Sequence, residues 1–197
     1  PPIGNWINGQ LSTKQLRRVK IEELLERDTI KLDNKNIERE ISNKIVMVTG
    51  AAGSIGAEIS RQVLNYNPKR LIIIDQAETP TFDLQFEIHN SKEFSQYQNK
   101  IEFIVASVKD KFRMDKIISL YRPDIIYHAA AYKHVPLMED NPYEALMVNI
   151  FGTKTMADLA KKYEVEKFVM VSTDKAVNPT NIMGASKRIA EIYIQSL

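Results

Sequence analysis

The chain has 197 residues and contains no cysteine. This absence excludes a disulfide framework, a zinc site held by thiolates and catalysis by a cysteine nucleophile. There are only three histidines, and their positions share no spacing typical of metal ligands, so we expect no metal site. No apolar run approaches the roughly 20 residues that cross a bilayer, and no signal peptide is recognisable. We therefore expect a cytoplasmic protein.

The chain also lacks a strong excess of either charge, because 27 basic and 25 acidic residues leave a formal net charge of +2. No basic run stands out, so we expect no nucleic-acid partner and no direct membrane contact. The length allows one sizeable core, or a core with an N-terminal appendage. We divide the chain into an N-terminal extension, residues 1–43, which we expect to pack on the core, and a nucleotide-binding domain, residues 44–197.

Glycine is scarce, yet three of the seven glycines are clustered at Gly50, Gly53 and Gly56. They separate a run of apolar, mostly β-branched residues from a helical pattern that begins at Ser54 and Ile55. Gly50 permits a tight turn, Gly53 lets the backbone approach phosphates, and Gly56 lets the helix pack on the strand. The N–H groups of the first helical turn then face an anion. This pattern predicts a pyrophosphate site.

Asp75 ends the next predicted strand. A carboxylate at this place can accept hydrogen bonds from the adenosine ribose hydroxyls and would repel a 2′-phosphate, which favours NAD over NADP. A glycine-rich turn can also serve only to connect two elements. The alternative is therefore a flavodoxin-like sheet that binds no nucleotide.

Strand and helix patterns alternate from residue 44 onwards. Nearly continuous apolar strands separated by helices predict an α/β fold with a doubly wound parallel sheet of the Rossmann type, in the order 3-2-1-4-5. We also expect a short helix over residues 36–41. The predicted strands are 45–49, 70–75, 101–106, 125–128 and 167–172, and the predicted helices are 54–65, 80–90, 110–120, 142–163 and 183–196.

Ligands of such sheets bind at the carboxyl ends of the strands, and two of these ends suit a dinucleotide. Ser107 follows the third strand and is a plausible neighbour of an adenine ring. Ala129, Ala130 and Ala131 follow the fourth strand, and their small side chains let a flat ligand lie against the backbone. His128, which precedes them, we interpret as structural.

The fifth strand is followed by Thr173, Asp174 and Lys175. A hydroxyl, a carboxylate and an ammonium group side by side are unusual in a loop that only connects a strand to a helix. Together they can bind a sugar hydroxyl, donate a proton and accept one. We take these three residues as catalytic candidates.

Met183 and Lys187 are four residues apart, on one face of the last helix. Lys187 can bind the nicotinamide ribose hydroxyls, and the alternative is a solvated helix lysine. For Met183, filling of the core is the favoured interpretation on chemistry alone, since a thioether cannot transfer protons. Asn149 is either a buried side chain bonded to the backbone, the favoured reading, or part of a proton relay.

These motifs resemble the extended short-chain dehydrogenase/reductase superfamily and, more narrowly, the bacterial polysaccharide-biosynthesis nucleotide-sugar 4,6-dehydratases. The resemblance covers nearly the whole chain. The N-terminal segment 18–25 is similar to the one that precedes the cofactor domain in the large, membrane-anchored branch. Segment 49–56 resembles the cofactor motif of the superfamily, and segment 128–131 resembles its second motif. The segments that resemble the dehydratases are 131–139, 148–153 and 172–180.

The resemblance implies conversion of a UDP-N-acetylhexosamine, usually UDP-N-acetylglucosamine (UDP-GlcNAc), to a 4-keto-6-deoxy sugar with bound NAD(P). It implies that Thr173 binds the 4-hydroxyl, Asp174 is the acid at the C6 hydroxyl, Lys175 is a base and Lys187 holds the nicotinamide ribose. It further implies a homo-oligomer, and anchoring of the longer protein to the inner membrane through upstream segments, with this domain on the cytoplasmic side.

The chain departs from the family pattern in two ways. The superfamily places tyrosine, the base for the C4 hydroxyl, where this chain has Met183. The base is then Lys175 or a water relay. The part that binds the sugar nucleotide would follow residue 197, so we expect this piece to be inactive alone. Alternative functions are a 4-epimerase of the same superfamily and a catalytically dead dinucleotide-sensing module.

Overall fold

A parallel sheet of five strands lies at the centre of the structure, a computed structural model that describes residues 33–197. The strand order is β3-β2-β1-β4-β5, and every neighbouring pair is parallel. The predicted fold class and order are confirmed. The strands are β1 (Ile45–Thr49), β2 (Arg70–Asp75), β3 (Ile101–Val105), β4 (Ile125–His128) and β5 (Lys167–Met170).

Helices connect the strands, close to where the sequence predicts them. One difference is the long helix predicted over 142–163, which a π-helical segment, Leu146–Gly152, divides. The α-helices are α1 (Asn34–Ile41), α2 (Ser54–Asn65), α3 (Glu78–Asn90), α4 (Lys111–Tyr121), α5 (Val135–Asp140), α6 (Pro142–Ala145), α7 (Thr153–Lys162) and α8 (Ile182–Gln195). Two 3-10 turns are Ser95–Lys100 and Asp174–Ala176.

The central strands β1 and β2 are buried on both faces over most of their length, which explains their nearly continuous apolar runs. In β1, Val46 and Val48 belong to one core layer, with α2 and α3, whereas Met47 belongs to the other, with α4 and α7. Side chains alternate across a strand, so each layer takes every second residue. This two-layer packing fixes the register and brings the carboxyl ends of the strands to one edge of the sheet.

Most of the predicted N-terminal extension lies outside the described residues, including the segment 18–25 that carries part of the resemblance. Residues 35–197 form one compact unit. Within it, Ile41 of α1 is buried in the first core layer, and Glu40 forms an ion pair with Lys167 of β5. The domain boundary at 43/44 stays a prediction. Over residues 33–197, no helix is both long enough and apolar enough to cross a membrane.

Candidate functional site

A cavity of about 500 Å³ opens at the carboxyl ends of β1 to β4. The predicted cofactor residues, Lys187 excepted, line its wall, although they come from four separate parts of the chain. Its lining includes Gly50, Gly53, Ser54, Ile55, Gly56, Asp75, Ser107, Ala129, Ala130 and Ala131.

The glycines form a tight cradle at one side of the cavity. Gly50 has φ = +67°, a left-handed conformation that residues with a side chain rarely adopt. A Cβ on Gly56 would lie 2.2 Å from the Gly50 carbonyl oxygen, so α2 can begin this close to β1 only with glycine there. A Cβ on Gly53 would lie 3.3 Å from the same oxygen. The wall is therefore bare backbone where a diphosphate would need close approach.

The N-terminus of α2 faces the same cradle. Gly53 is its N-cap, no side chain caps it, and its first turn contains no acidic residue. The first N–H groups of a helix carry a partial positive charge and lack intrahelical acceptors. Ser54 and Ile55, which line the cavity, thus offer donors to an anion. The donor set fits the pyrophosphate of a dinucleotide.

Backbone donors hold the carboxylate of Asp75 at the cavity wall. Its Oδ2 accepts a hydrogen bond from the Ala52 N–H at 3.0 Å, and its Oδ1 accepts one from the Ala77 N–H at 2.9 Å. Each carboxylate oxygen can accept more than one hydrogen bond, so both keep capacity for ribose hydroxyls. The backbone orients the group before any ligand arrives.

Sequence reasoning missed a polar chain in the cavity lining, built around Gln76. The Ser107 hydroxyl donates to Gln76 Oε1 at 3.1 Å, and Gln76 Nε2 donates to the Tyr132 hydroxyl at 3.1 Å. These residues link the ends of β2, β3 and β4 across the cavity. The sequence did hold one indication of these residues, because Gln76 and Tyr132 directly follow the predicted cofactor residues Asp75 and Ala131.

His128 is structural, as predicted. It is fully buried, with Nδ1 2.7 Å from the Thr49 hydroxyl oxygen and Nε2 3.0 Å from that of Thr153. Burial and the nearby charge of Lys187 lower the pKa of His128 to about 3. The ring is therefore neutral near pH 7 and ties β1, directly before Gly50, to β4 and α7.

Asn149 is a buried side chain bonded to the backbone, the favoured one of its two interpretations. Its Oδ1 accepts from the Tyr132 N–H at 2.8 Å, and its Nδ2 donates to the Tyr132 carbonyl at 3.0 Å and to the Ser186 hydroxyl at 2.9 Å. It lies in the π-helical segment. Asn149 thus fixes the cavity loop that follows β4, and its part in a proton relay stays untested.

The catalytic candidates Thr173, Asp174 and Lys175 lie together after β5 but do not line the cavity. The Thr173 hydroxyl donates to Asp174 Oδ1 at 2.9 Å, and Lys175 Nζ lies 3.9 Å from the same oxygen. The Thr173 hydroxyl and the Lys175 charge lower the pKa of Asp174. Asp174 is 90% exposed, so this pair faces open space beside the sheet edge.

Lys187 also lies off the cavity wall. Only 4% of it is exposed, and its Nζ donates to the Val171 carbonyl at 2.7 Å. Burial lowers the pKa of Lys187 to about 8, and the charge of Glu191 partly opposes this shift. The interpretation of Lys187 as a solvated lysine is wrong. Its predicted contact with a nicotinamide ribose stays a prediction.

Met183 is buried in a small apolar cluster with Met138 and Ala145. This packing agrees with filling of the core, the interpretation that chemistry favoured. The cluster joins α5 and α6 to the start of α8, four residues before Lys187. The thioether of Met183 offers no group that can move a proton.

A family model described as "Polysaccharide biosynthesis protein" matches residues 46–197. The chain belongs to this family. The matched range contains the glycine cradle, Asp75 and the Thr173–Lys175 group, all within the extended short-chain dehydrogenase/reductase fold. The resemblance to the extended short-chain dehydrogenase/reductase enzymes of polysaccharide biosynthesis is confirmed.

Several curated relatives are similar over most of the chain. The chain is 48% identical to the capsular polysaccharide biosynthesis protein CapD of Staphylococcus aureus, over its whole length and 32% of CapD. It is 35% identical to a Campylobacter jejuni UDP-N-acetylglucosamine 4,6-dehydratase (inverting), over 74% of the chain and 41% of that enzyme. It is 34% identical to the UDP-glucose 4-epimerase of Rickettsia canadensis, over 76% of the chain and 42% of that enzyme. The chain thus spans less than half of each relative.

Among solved structures, the X-ray structure of Pen from Bacillus thuringiensis is similar in fold and sequence. The TM-score is 0.72 and the identity 33%, over 79% of this chain and 47% of Pen. The match again covers about half of the solved protein.

Proposed function

We propose that the chain is the NAD-binding part of a nucleotide-sugar 4,6-dehydratase that acts on a UDP-N-acetylhexosamine, UDP-GlcNAc in the first instance. The observation that carries the proposal is the Thr173–Lys175 group, in which an acid and a base stand 3.9 Å apart at the end of β5. Elimination of water from a sugar needs both functions at neighbouring carbons. The similarity to a dehydratase at 35% identity supports the same reading.

The cavity would hold NAD through the glycine cradle, the N-terminus of α2 and Asp75. Bound there, NAD supplies a hydride acceptor that later returns the hydride to the sugar. The negative charge of Asp75 disfavours a 2′-phosphate, which supports NAD over NADP. Ser107 and Gln76 lie where an adenine ring would be expected beside the ends of β3 and β2.

Three side chains would handle the sugar. Thr173 would bind the 4-hydroxyl, Asp174 in its protonated form would donate a proton to the departing C6 hydroxyl, and Lys175 in its neutral form would accept the proton removed from C5. Because the pKa of Asp174 is lowered here, the group is charged as it stands. Its acid role requires burial by the substrate and the remaining protein, which disfavours the charged form and raises the pKa. The absence of tyrosine at Met183 leaves Lys175 or a water relay to deprotonate the C4 hydroxyl.

A second candidate is a nucleotide-sugar 4-epimerase, favoured by the 34% identity to a UDP-glucose 4-epimerase. Epimerisation needs only the hydride step at C4 and gives no reason for an acid–base pair beside the threonine. The Asp174–Lys175 pair therefore supports dehydration. A dinucleotide-sensing module without catalysis is the third possibility, and Met183 is compatible with it.

The deciding experiment incubates the full-length protein with UDP-GlcNAc and identifies the product by mass spectrometry and NMR. A 4-keto product that has lost one water is expected. Formation of UDP-N-acetylgalactosamine instead would establish the epimerase. Tight NAD binding without turnover would favour the sensing module. We expect the 197-residue chain alone to be inactive, and turnover by it would refute that expectation.

The wider setting belongs to the same proposal. We infer a role in making a surface polysaccharide such as capsule or O-antigen, on the cytoplasmic side of the inner membrane. Homo-oligomerisation and anchoring through upstream segments are inferred in the same way, from the family resemblance. Fractionation and light scattering of the full-length protein test both.

A further inference from the structure

Three residues of α8 form a stripe that contacts the chain after β5. Gly184, Lys187 and Glu191 are spaced by three and four residues, so they lie on one face of the helix. This face is turned toward the segment 171–175. The segment carries the catalytic candidates of the proposed function, and the inference below rests on that function.

Each member of the stripe fixes a different point of the segment. A Cβ on Gly184 would lie 2.2 Å from the Lys175 carbonyl oxygen, so the two backbones are in close contact. Lys187 Nζ donates to the Val171 carbonyl at 2.7 Å. Glu191 Oε1 accepts a hydrogen bond from the Ser172 hydroxyl at 2.6 Å. Contacts thus flank Thr173 and Asp174 on both sides.

We propose that Glu191 is a positioning residue that orients the Thr173–Lys175 group through Ser172, with Gly184 and Lys187 holding the rest of the segment. Glu191 does not line the cavity, and its carboxylate is bonded to Ser172 and Arg188. Ser172 directly precedes Thr173, so a shift of its hydroxyl displaces the neighbouring threonine.

The side chain of Glu191 is itself held in place. Arg188 Nη1 lies 3.0 Å from its Oε2 while Ser172 binds its Oε1, so each carboxylate oxygen has its own partner. These two partners lower the pKa of Glu191, which stays ionised near neutral pH. Hydrogen bonds to an ionised acceptor are roughly twice as strong as neutral ones. Ser172 is thereby anchored more firmly than by a neutral acceptor.

Glu191 also acts on Lys187, one turn away. Its negative charge raises the pKa of Lys187, opposing the effect of burial. His128 is the other titratable group that faces Lys187, and it is neutral near pH 7 because its pKa is about 3. Loss of the Glu191 charge therefore lowers the pKa of Lys187 further. A role confined to packing would leave that pKa unchanged.

The test uses full-length protein with Ser172→Ala, Glu191→Ala and Glu191→Gln. The control is Glu87→Gln, which removes a comparable carboxylate paired with Arg61 on the distant helices α2 and α3. Hydrogen exchange is measured at residues 173–177, where the Ala176 N–H donates to the Thr173 carbonyl. Loss of one hydrogen bond predicts exchange about threefold to tenfold faster in the two alanine variants. Glu191→Gln, which keeps an acceptor oxygen but loses the charge, is expected to restore part of the protection.

Two further measurements accompany exchange. We expect kcat to fall in Glu191→Ala while the dissociation constant for NAD changes less than about twofold, because Glu191 lies off the cavity. NMR titration of Lys187 is expected to show a lower pKa in Glu191→Gln than in the wild type. Unchanged exchange in both alanine variants, or an equal change in Glu87→Gln, would overturn the proposal. Faster exchange in the alanine variants, together with a wild type that does not dehydrate UDP-GlcNAc, would support the positioning role of Glu191. That combination would refute the proposed function instead.

Discussion

A Cβ built on Gly50 would lie 2.4 Å from the backbone nitrogen of Ala130. The turn after β1 and the loop after β4 are therefore in direct backbone contact at the cavity wall. The Ala129 N–H donates to the Thr49 carbonyl at 2.9 Å just beside this contact. Two motifs that are far apart in sequence form one surface because Gly50 has no side chain and the residues that face it, Ala129 and Ala130, have only a methyl group.

Gly50→Ala is expected to destabilise the fold by at least about 2 kcal/mol. The change places a side chain in a left-handed conformation, which costs roughly 1–2 kcal/mol, and forces it against Ala130. Gly53→Ala is the matched control, since Gly53 has φ = −73° and its added Cβ meets only one oxygen, at 3.3 Å. Urea denaturation should show a loss near zero for Gly53→Ala. Equal losses would mean that the cradle does not need glycine at position 50.

Much of the fold could be predicted because its signals are local. Apolar β-branched runs predict strands, and their alternation with helices restricts a parallel sheet to few orders. The glycines and Asp75 were found in the same way, from their places at strand ends. These features depend on residues near in sequence, so one chain suffices.

The parts that were missed depend on contacts across the fold. Gln76 meets Ser107 and Tyr132 only after three strands are aligned. The burial of Lys187 follows from the way α8 packs on the end of β5, so the helix pattern alone could not exclude a solvated lysine. The π-helical segment likewise accompanies the bonds from Asn149 to Tyr132, which no local pattern encodes.

His128 is expected to make the protein sensitive to acid. Its pKa is about 3 in the folded protein, below the ordinary 6.5, so the unfolded chain binds a proton first as the pH falls. The free energy of unfolding should then drop by about 1.4 kcal/mol per pH unit below pH 6.5 from this group alone. Denaturation of wild type and His128→Gln between pH 6.5 and 4.5 measures the difference in slope. His89→Gln, a change on the exposed face of α3, is the matched control.

Lys187 is expected to make the stability of the protein depend on pH in the alkaline range. Its pKa is about 8 when folded and 10.5 ordinarily, so the unfolded chain holds its proton to higher pH. The wild type should therefore gain up to about 1.4 kcal/mol per pH unit relative to Lys187→Met between pH 8 and 10.5. Lys161→Met, which removes an exposed lysine of α7, is the control. A stability difference that does not vary with pH would contradict a buried, neutralised Lys187.

Asp75→Asn is expected to weaken NAD binding about tenfold or more. It is also expected to reduce the ratio of the affinity for NAD to the affinity for NADP. An amide must turn its NH₂ group toward the Ala52 or the Ala77 N–H, where the carboxylate accepts hydrogen bonds. It also loses the charge that repels a 2′-phosphate. Calorimetric titration with both dinucleotides measures this change. Asp83→Asn on the exposed side of α3 controls for a lost carboxylate, and an unchanged NAD/NADP ratio in Asp75→Asn would exclude Asp75 from specificity.

Lys175→Ala separates chemistry from cofactor binding. Lys175 lies off the cavity, so the dissociation constant for NAD should change less than about twofold. Turnover should fall at least about 100-fold, the usual contribution of a general base. The lost charge also removes one of the causes that lower the pKa of Asp174, so that pKa should rise toward its ordinary value. Lys162→Ala, which breaks an ion pair with Asp115 on another part of the surface, is the control.

Parallel losses of NAD affinity and turnover in Lys175→Ala would show that this lysine serves the cofactor rather than the sugar. An unimpaired turnover would remove it from the mechanism and leave Asp174 without its partner.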